Sequence, residues 1–309
     1  MLTVHRLLFP TDGSSCSEHA FAHAVCLARR HGAELHVLHV RLPGQTDVFD
    51  LELASETALS ARAQALCGAE VPVVRAEVQA VVASMGILEY AQEQAVDLIV
   101  MGTHGRTGMD RLLLGSVAEE VLRLADCPVL TIRPDTDRAP EAVARVLAPV
   151  DFSPSSWLAV AYAKHLAALF GARLDLLHVV ETLPSYGLVD IPPVFPPPSA
   201  EVEETTREAL LELAREAGGP AVEVTPHVVA GHPTIGVLAT AKALGPDLLV
   251  LPTHGRSGLK RLVLGSVSEQ VVRRAPCPVL VVRGQGRGLL PHDAATGDGT
   301  TCPADPPLS

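Results

Sequence analysis

The sequence predicts an α/β protein built from two doubly wound domains, each on a parallel five-stranded sheet, packed together as a pseudo-dimer. Three observations carry this. Residues 103–133 and 253–283 read THGRTGMDRLLLGSVAEEVLRLADCPVLTIR and THGRSGLKRLVLGSVSEQVVRRAPCPVLVVR, identical at 20 of 31 positions. Repetition at a period of about 150 residues marks a duplicated domain rather than a short-repeat solenoid. Within each copy, continuous apolar runs alternate with segments of helical period, the pattern of a parallel sheet covered on both faces. The 309 residues are 48% hydrophobic but only 3% aromatic, so two cores of Leu, Val and Ala are affordable in length and composition.

The elements of the first copy follow in order. Val4–Phe9 is a short apolar strand. Ser17–His31 reads as a helix with Ala20, Ala24, Leu27 and Ala28 on one face, stopped by Gly32. Leu35–Val40 is a second strand and residues 53–67 a second helix. Val71–Val78 is a third strand, interrupted early by Pro72, and residues 85–95 are helical. Leu98–Met101 is a buried strand followed by a glycine-rich loop, a helix from Ser116 to Leu124, and a closing strand, Val129–Ile132. The second copy repeats the series. Crossovers in such a sheet are right-handed, and ligands bind beyond the carboxyl ends of the strands, at the switch point.

Asp12 matches Asp151 and His39 matches His178 at an offset of 139; Asp97 matches Asp247 and Gly105 matches Gly255 at 150. The second copy therefore carries 11 extra residues between His178 and Asp247. The segment Pro192–Pro198 is the expected site, as an extended surface loop, since so much proline continues neither a helix nor a central strand. The boundaries fall at residues 1–138 for the first domain, 139–285 for the second and 286–309 for a tail. The tail is rich in Gly, Pro, Asp and Thr and is expected to be disordered. If the last strand of each domain leaves an open edge, two chains can pair there as a homodimer.

Composition narrows the function. A formal charge of −11 argues against a nucleic-acid surface. The six cysteines show neither a CxxC pair nor zinc spacing. Cys127 and Cys277, repeat equivalents, read as small buried thiols. The N-terminus lacks an apolar stretch of signal-peptide length, and no run approaches the ~20 apolar residues of a membrane span. A cytoplasmic protein without membrane contact is the expectation.

The strongest chemical signal follows the fourth strand: Gly102-x2-Gly105-x9-Gly115-Ser116. Glycines admit close backbone approach to an anion, and a helix start at Ser116 offers free N–H groups and a favourable dipole end to phosphate. Arg106 and Arg111 add charge nearby. A second reading needs no ligand: Ser116-Val-Ala-Glu119 and Ser266-Val-Ser-Glu269 are also capping-box patterns. Asp12 and Asp151 end the first strands and read equally as ligand contacts or as caps of the next helix. No Walker A loop occurs, nor a GxGxxG after the first strand. His104 and His254 lie in the glycine loops without the nucleophile and orienting partner that catalysis needs, and read as loop hydrogen-bonding residues or phosphate contacts. Asp110 becomes Lys260 in the second copy, which argues against a shared catalytic carboxylate.

These residues resemble the universal stress protein family in its tandem form, over nearly all of residues 1–285. The glycine spacing is that of the family's ATP-binding branch, and Asp12 and the Leu-His-Val strand end occur where that family has them. The resemblance implies an adenine-nucleotide α-hydrolase-like fold with ATP, carrying Mg²⁺, in the switch-point crevice. Asp12 and Val40 would meet the adenine side, with Thr11 also among the binding residues. Gly102 and Gly105 would line ribose and phosphates, with Arg106 also among the binding residues, and Gly115, Ser116 and Val117 would hold the phosphates. In the second copy the corresponding residues are Asp151, Val179, Gly255, Arg256, Gly265, Ser266 and Val267. That copy departs at Pro252, which stands where the first has Gly102; if the first glycine must donate a bond or take positive φ, the second site is weakened.

Three functions fit. One is a non-enzymatic, ATP-binding stress-response regulator, acting through its domain pair or a protein partner. Another is a ligand-free structural or partner-binding tandem module. The third is an adenylating enzyme, disfavoured because two copies and a tail leave no room for a catalytic domain.

Overall fold

In a computed structural model, which describes residues 2–44, 55–104, 114–134, 143–182, 197–253, 264–283 and 289–290, each apolar run becomes a strand. The first half is β1 (Arg6–Pro10), α1 (Ser15–His31), β2 (Glu34–Arg41), α2 (Glu56–Cys67), β3 (Val73–Gln79), α3 (Ala83–Glu93), β4 (Leu98–Gly102), α4 (Ser116–Leu124) and β5 (Val129–Ile132). The second is β6 (Arg145–Val150), α5 (Pro154–Phe170), β7 (Arg173–Val180), α6 (Ala200–Glu216), β8 (Val224–Ala230), α7 (Pro233–Leu244), β9 (Leu248–Pro252), α8 (Ser266–Arg274) and β10 (Val279–Val282).

Local chemistry sets the boundaries. Gly32 closes α1 at φ 62°, its N–H shared between Ala28 and Arg29 carbonyls. Gly171 does the same for α5 at φ 66°. Pro72 has no N–H to give, so β3 starts at Val73, while the Pro72 carbonyl still accepts from Leu35 N at 2.8 Å. The Asp97 carboxylate accepts from the backbone N–H groups of His5 and Arg6, and Asp247 does so for Ala144 and Arg145, so each first strand is tied to the fourth at the same place. The proline-rich stretch proposed as the inserted loop lies largely outside the described residues, as does most of the join between the halves.

The strands form one ten-stranded sheet in the order β3-β2-β1-β4-β5-β10-β9-β6-β7-β8. All neighbours are parallel except β5 and β10, which pair antiparallel with Leu130 opposite Leu280. This corrects one expectation. The last-strand edges are not open for a second chain, because β5 and β10 satisfy each other's backbone groups, and the outer strands are β3 and β8. Burial follows the pleat. On β1, Leu7 and Phe9 enter the layer under α1, whereas Leu8 enters the layer under α3 and α4. Both layers run unbroken through the seam between halves.

Arginines lock that seam by capping helices of the opposite half. The Arg283 guanidinium donates to the Leu122 carbonyl at 3.1 Å and to that of Arg123, at the end of α4. Its repeat equivalent Arg133 donates to the Arg273 carbonyl at the end of α8. On the other face Arg30 donates to Leu169 O at 2.7 Å, closing α5, and stacks 4.5 Å above the Phe170 ring. Between α1 and α5 a groove crosses the seam, lined by His23, Leu27, Leu166, Phe170 and Leu289. Leu289 and Leu290 are buried there, although they fall in the stretch expected to be disordered. Tyr162 Oη, the repeat equivalent of His23, accepts from Leu289 N at 2.7 Å. Thr3 N donates to Leu289 O at 3.2 Å.

Candidate functional site

The strand order reverses direction between β1 and β4, so their carboxyl ends flank a crevice. Past β1, Thr11 is buried and its N–H donates to Leu38 O. Its hydroxyl donates to Ser17 Oγ at 3.0 Å and accepts from Gly13 N at 3.1 Å. Asp12 Oδ1 accepts from Ser14 N at 3.0 Å, and Ser14 caps α1 through Ser17 N. This hydroxyl network holds the turn while Asp12 stays half-buried at the rim.

Past β4, Thr103 N donates to Ile132 O, and Thr103 O accepts from Gly115 N at 2.8 Å. That bond folds the chain back so that α4 starts beside the strand exit. Gly115 is the N-cap, at φ −61° and ψ 140°, and no side chain caps the helix. The capping-box reading is therefore overturned. Ser116 is the first residue inside α4, one position too late for its hydroxyl to serve, and the first helical bond is Glu119 N to Gly115 O. The amides of Ser116, Val117 and Ala118 have no acceptor within the helix. α1, α2, α5 and α6 each carry a serine cap, whereas α3 and α7, like α4 and α8, have no side-chain cap. Uncapped amides plus the positive dipole end favour an anion.

Glycine here relieves crowding rather than supplying positive φ. A Cβ on Gly115 would lie 3.1 Å from Thr103 O, and one on Gly102 would lie 2.9 Å from Cys16 Sγ. Neither residue takes positive φ. The second copy keeps the same frame despite Pro252. Thr253 N donates to Val282 O, Gly265 N to Thr253 O at 2.8 Å, and Gly265 caps α8 with no side-chain bond. So the objection to Pro252 on grounds of φ falls away, and what remains is a lost N–H and a ring where the first copy has only hydrogen. The capping-box reading of Ser266 fails for the same reason as that of Ser116.

A profile of the universal stress protein family matches residues 3–133 and again residues 143–283. The chain belongs to the universal stress protein family. A universal stress protein from Mycolicibacterium smegmatis is 31% identical over 297 residues, 91% of this chain and 98% of the relative. Another, from Mycobacterium tuberculosis, is 34% identical over 193 residues, covering 60% of this chain and 62% of its own length. The crystal structure of a universal stress protein from Archaeoglobus fulgidus superposes with a TM-score of 0.64 at 23% identity, over 92% of this chain and 98% of that one, and shares the fold.

Of the residues expected at the site of this universal stress protein, the structure brings Thr11, Asp12, Gly102, Gly115, Ser116 and Val117 to one crevice. Val40 stands at the end of β2, where its side chain packs on α3. Gly105, Arg106, Arg111, Gly255, Arg256 and His254 lie outside the described residues, as do Asp110 and Lys260. The second crevice holds Asp151, Gly265, Ser266 and Val267, with Val179 at the end of β7. Sequence reasoning missed Gly86 and Gly236. A Cβ on either would lie 2.8 Å from a methyl of Val40 or Val179, so these glycines seat α3 and α7 on the strand ends. Their signal was there: a glycine inside a helix at the same place in both copies. Cys16, over Gly102, was also missed. Cys127 is a buried thiol whose pKa burial pushes up to about 12, which makes it unreactive. Among the described residues no group of three His, Cys, Asp or Glu gathers to hold a metal, and no helix is long and apolar enough to cross a membrane.

Proposed function

We propose that this universal stress protein is a non-enzymatic regulator that binds ATP in the first crevice and reports occupancy through its domain pair or a protein partner. The observation that carries the reading is the start of α4. Three amides without a cap, at a helix dipole's positive end, face a switch point from which Gly115 and Gly102 remove side-chain bulk. The phosphates would lie on Gly115, Ser116 and Val117, with the adenine side toward Thr11, Asp12 and Val40. Magnesium, which keeps most of its own water and is held largely by phosphates, would arrive on the nucleotide. The chain supplies binding and orientation only; no base or arginine finger among the described residues is set for hydrolysis.

Calorimetric titration of nucleotide-stripped protein with ATP and Mg²⁺ tests this. Gly115→Ala should weaken binding by about a hundredfold, because the methyl pushes α4 from Thr103 and fills the anion's approach. Gly265→Ala should leave that site unchanged. The absence of saturable binding by the unaltered protein would sink the proposal and favour a ligand-free, partner-binding module.

A further inference from the structure

The groove between α1 and α5 already holds an occupant, and that occupant comes from outside the duplicated fold. The family match ends at residue 283. Beyond it, Leu289 is 5% exposed and Leu290 9%. They are the one pair of adjacent large apolar residues in residues 284–309, set between Gly288 and Pro291. The two halves build their seat together: Leu27 of α1, Leu166 and Phe170 of α5, and Leu2 and Val4 ahead of β1.

The seat reads main chain as well as side chain. Tyr162 Oη accepts from Leu289 N at 2.7 Å, and Thr3 N donates to Leu289 O at 3.2 Å. Both backbone groups of one residue are bonded while its side chain enters an apolar pocket. Extended peptides are held in this way: main-chain bonds give affinity, and pockets select side chains. Tyr162 is 0% exposed, so its oxygen meets the peptide N–H where water does not reach and where an unanswered polar atom is costly.

The attachment is slight. Two leucines and two backbone bonds hold the segment, whereas the seam beneath is held by the β5–β10 ladder and the crossed arginine caps. Release of the segment therefore leaves the frame standing and opens an apolar seat. We infer that the seam groove is a peptide-docking site, and that Leu289–Leu290 of the chain's own tail is its tethered, exchangeable occupant. The site takes a short extended segment with two adjacent leucines. Tethering favours the tail over a free segment of the same chemistry. The inference does not rest on the nucleotide reading, since α4 and α8 pack on the opposite face of the sheet from α1 and α5.

The test empties the seat in the full chain by combining Leu289→Asp with Leu290→Asp. It then offers a fluorescent synthetic peptide of residues 284–296, GQGRGLLPHDAAT. Anisotropy should show saturable binding to this variant and roughly tenfold weaker binding to the unaltered chain, whose own tail competes. A peptide with both leucines replaced by aspartate should not bind. Adding Tyr162→Phe to the emptied chain should weaken uptake by about threefold to tenfold, because the Leu289 N–H loses its acceptor. No binding by the emptied chain would overturn the inference, as would equal binding by both proteins or of both peptides. Hydrogen exchange in the unaltered protein decides the matter should the variant misfold. The Leu289 amide must exchange more slowly than in the free peptide but faster than the amides of β5 and β10. An amide as slow as those strands makes the pair a fixed part of the core and refutes the proposal; one as fast as the free peptide shows an empty seat and refutes it too. A dimer of the unaltered protein that the double substitution splits would put the occupant on a second chain and overturn the tether.

Discussion

The two halves share a frame and differ at its rim. At one position the first half has Thr11 and the second Val150. Ser17 Oγ accepts from Thr11 Oγ1 and donates to Ser14 O at 2.7 Å, whereas its equivalent Ser156 Oγ donates to Asp151. Asp151 Oδ1 accordingly accepts from Ser153 N at 3.0 Å, Ser153 Oγ at 2.6 Å and Ser156 Oγ. Asp12 Oδ1 takes Ser14 N at 3.0 Å, while Ser17 stays with Thr11. Two residues on, Gly13 at φ 75° becomes Phe152 at φ 60°, a bulky residue held in the left-handed region with its ring 4.8 Å from His178. The lesson is that two halves with one backbone frame can differ in the hydroxyl network under a strand-end carboxylate.

The largest expected effect lies at the seam, where the comparison can be broken by pH. Burial, aided by His19, lowers the His23 pKa to about 4. Its equivalent Tyr162 is raised by burial to about 12. For His23 the unfolded chain takes a proton below its ordinary pKa of 6.5 and the folded chain does not. Stability is therefore lost as pH falls from about 6.5 toward about 4. For Tyr162 the unfolded chain ionises first, so stability is lost as pH rises from about 10 toward about 12. Each linkage amounts to roughly 3 kcal/mol at its limit. Denaturant midpoints measured across pH should show His23→Phe flattening only the acid limb and Tyr162→Phe only the alkaline one. Both limbs changing with either variant would mean the seam does not distinguish the halves.

A smaller effect would sharpen the contrast at the rim. Thr11→Val removes the donor to Ser17 and the acceptor for Gly13 N, loosening the turn that carries Asp12, and should weaken ATP binding by about tenfold, near 1.4 kcal/mol, with Val150→Thr leaving the first site as it was. Calorimetry on both variants checks this; an unchanged affinity in Thr11→Val would show that the hydroxyl network of the turn is irrelevant to the ligand. Smallest are the crossed arginine caps. Arg133→Ala and Arg283→Ala should each cost about 1 kcal/mol in urea unfolding, and equally, because the two contacts are repeat equivalents. A clear inequality would show that the seam is energetically lopsided.

Most of the fold was legible because apolar runs, C-terminal glycines and the duplicated segment are local signals. Gly32 stops α1 as read, and Ala20, Ala24, Leu27 and Ala28 are its buried face. The seam was not legible, since nothing local in Val129–Ile132 says which strand will cover its outer edge. Nor was the N-cap of α4. Ser116-x-x-Glu119 has a capping-box spelling, and only the bond from Gly115 N to Thr103 O shows that the helix begins one residue earlier. The burial of Leu289 was hidden by its polar neighbours; it depends on Tyr162, 127 positions away in the chain.

Because β5 and β10 run antiparallel while all other neighbours run parallel, the strands of the two halves point in opposite directions. The crevice at β1 and β4 opens on one margin of the sheet, and that at β6 and β9 on the other. Four strand spacings, roughly 19 Å, separate the two along the sheet. A rigid body docked over one opening leaves the other uncovered, and four strands, β4, β5, β10 and β9, stand between the two outward-facing sockets.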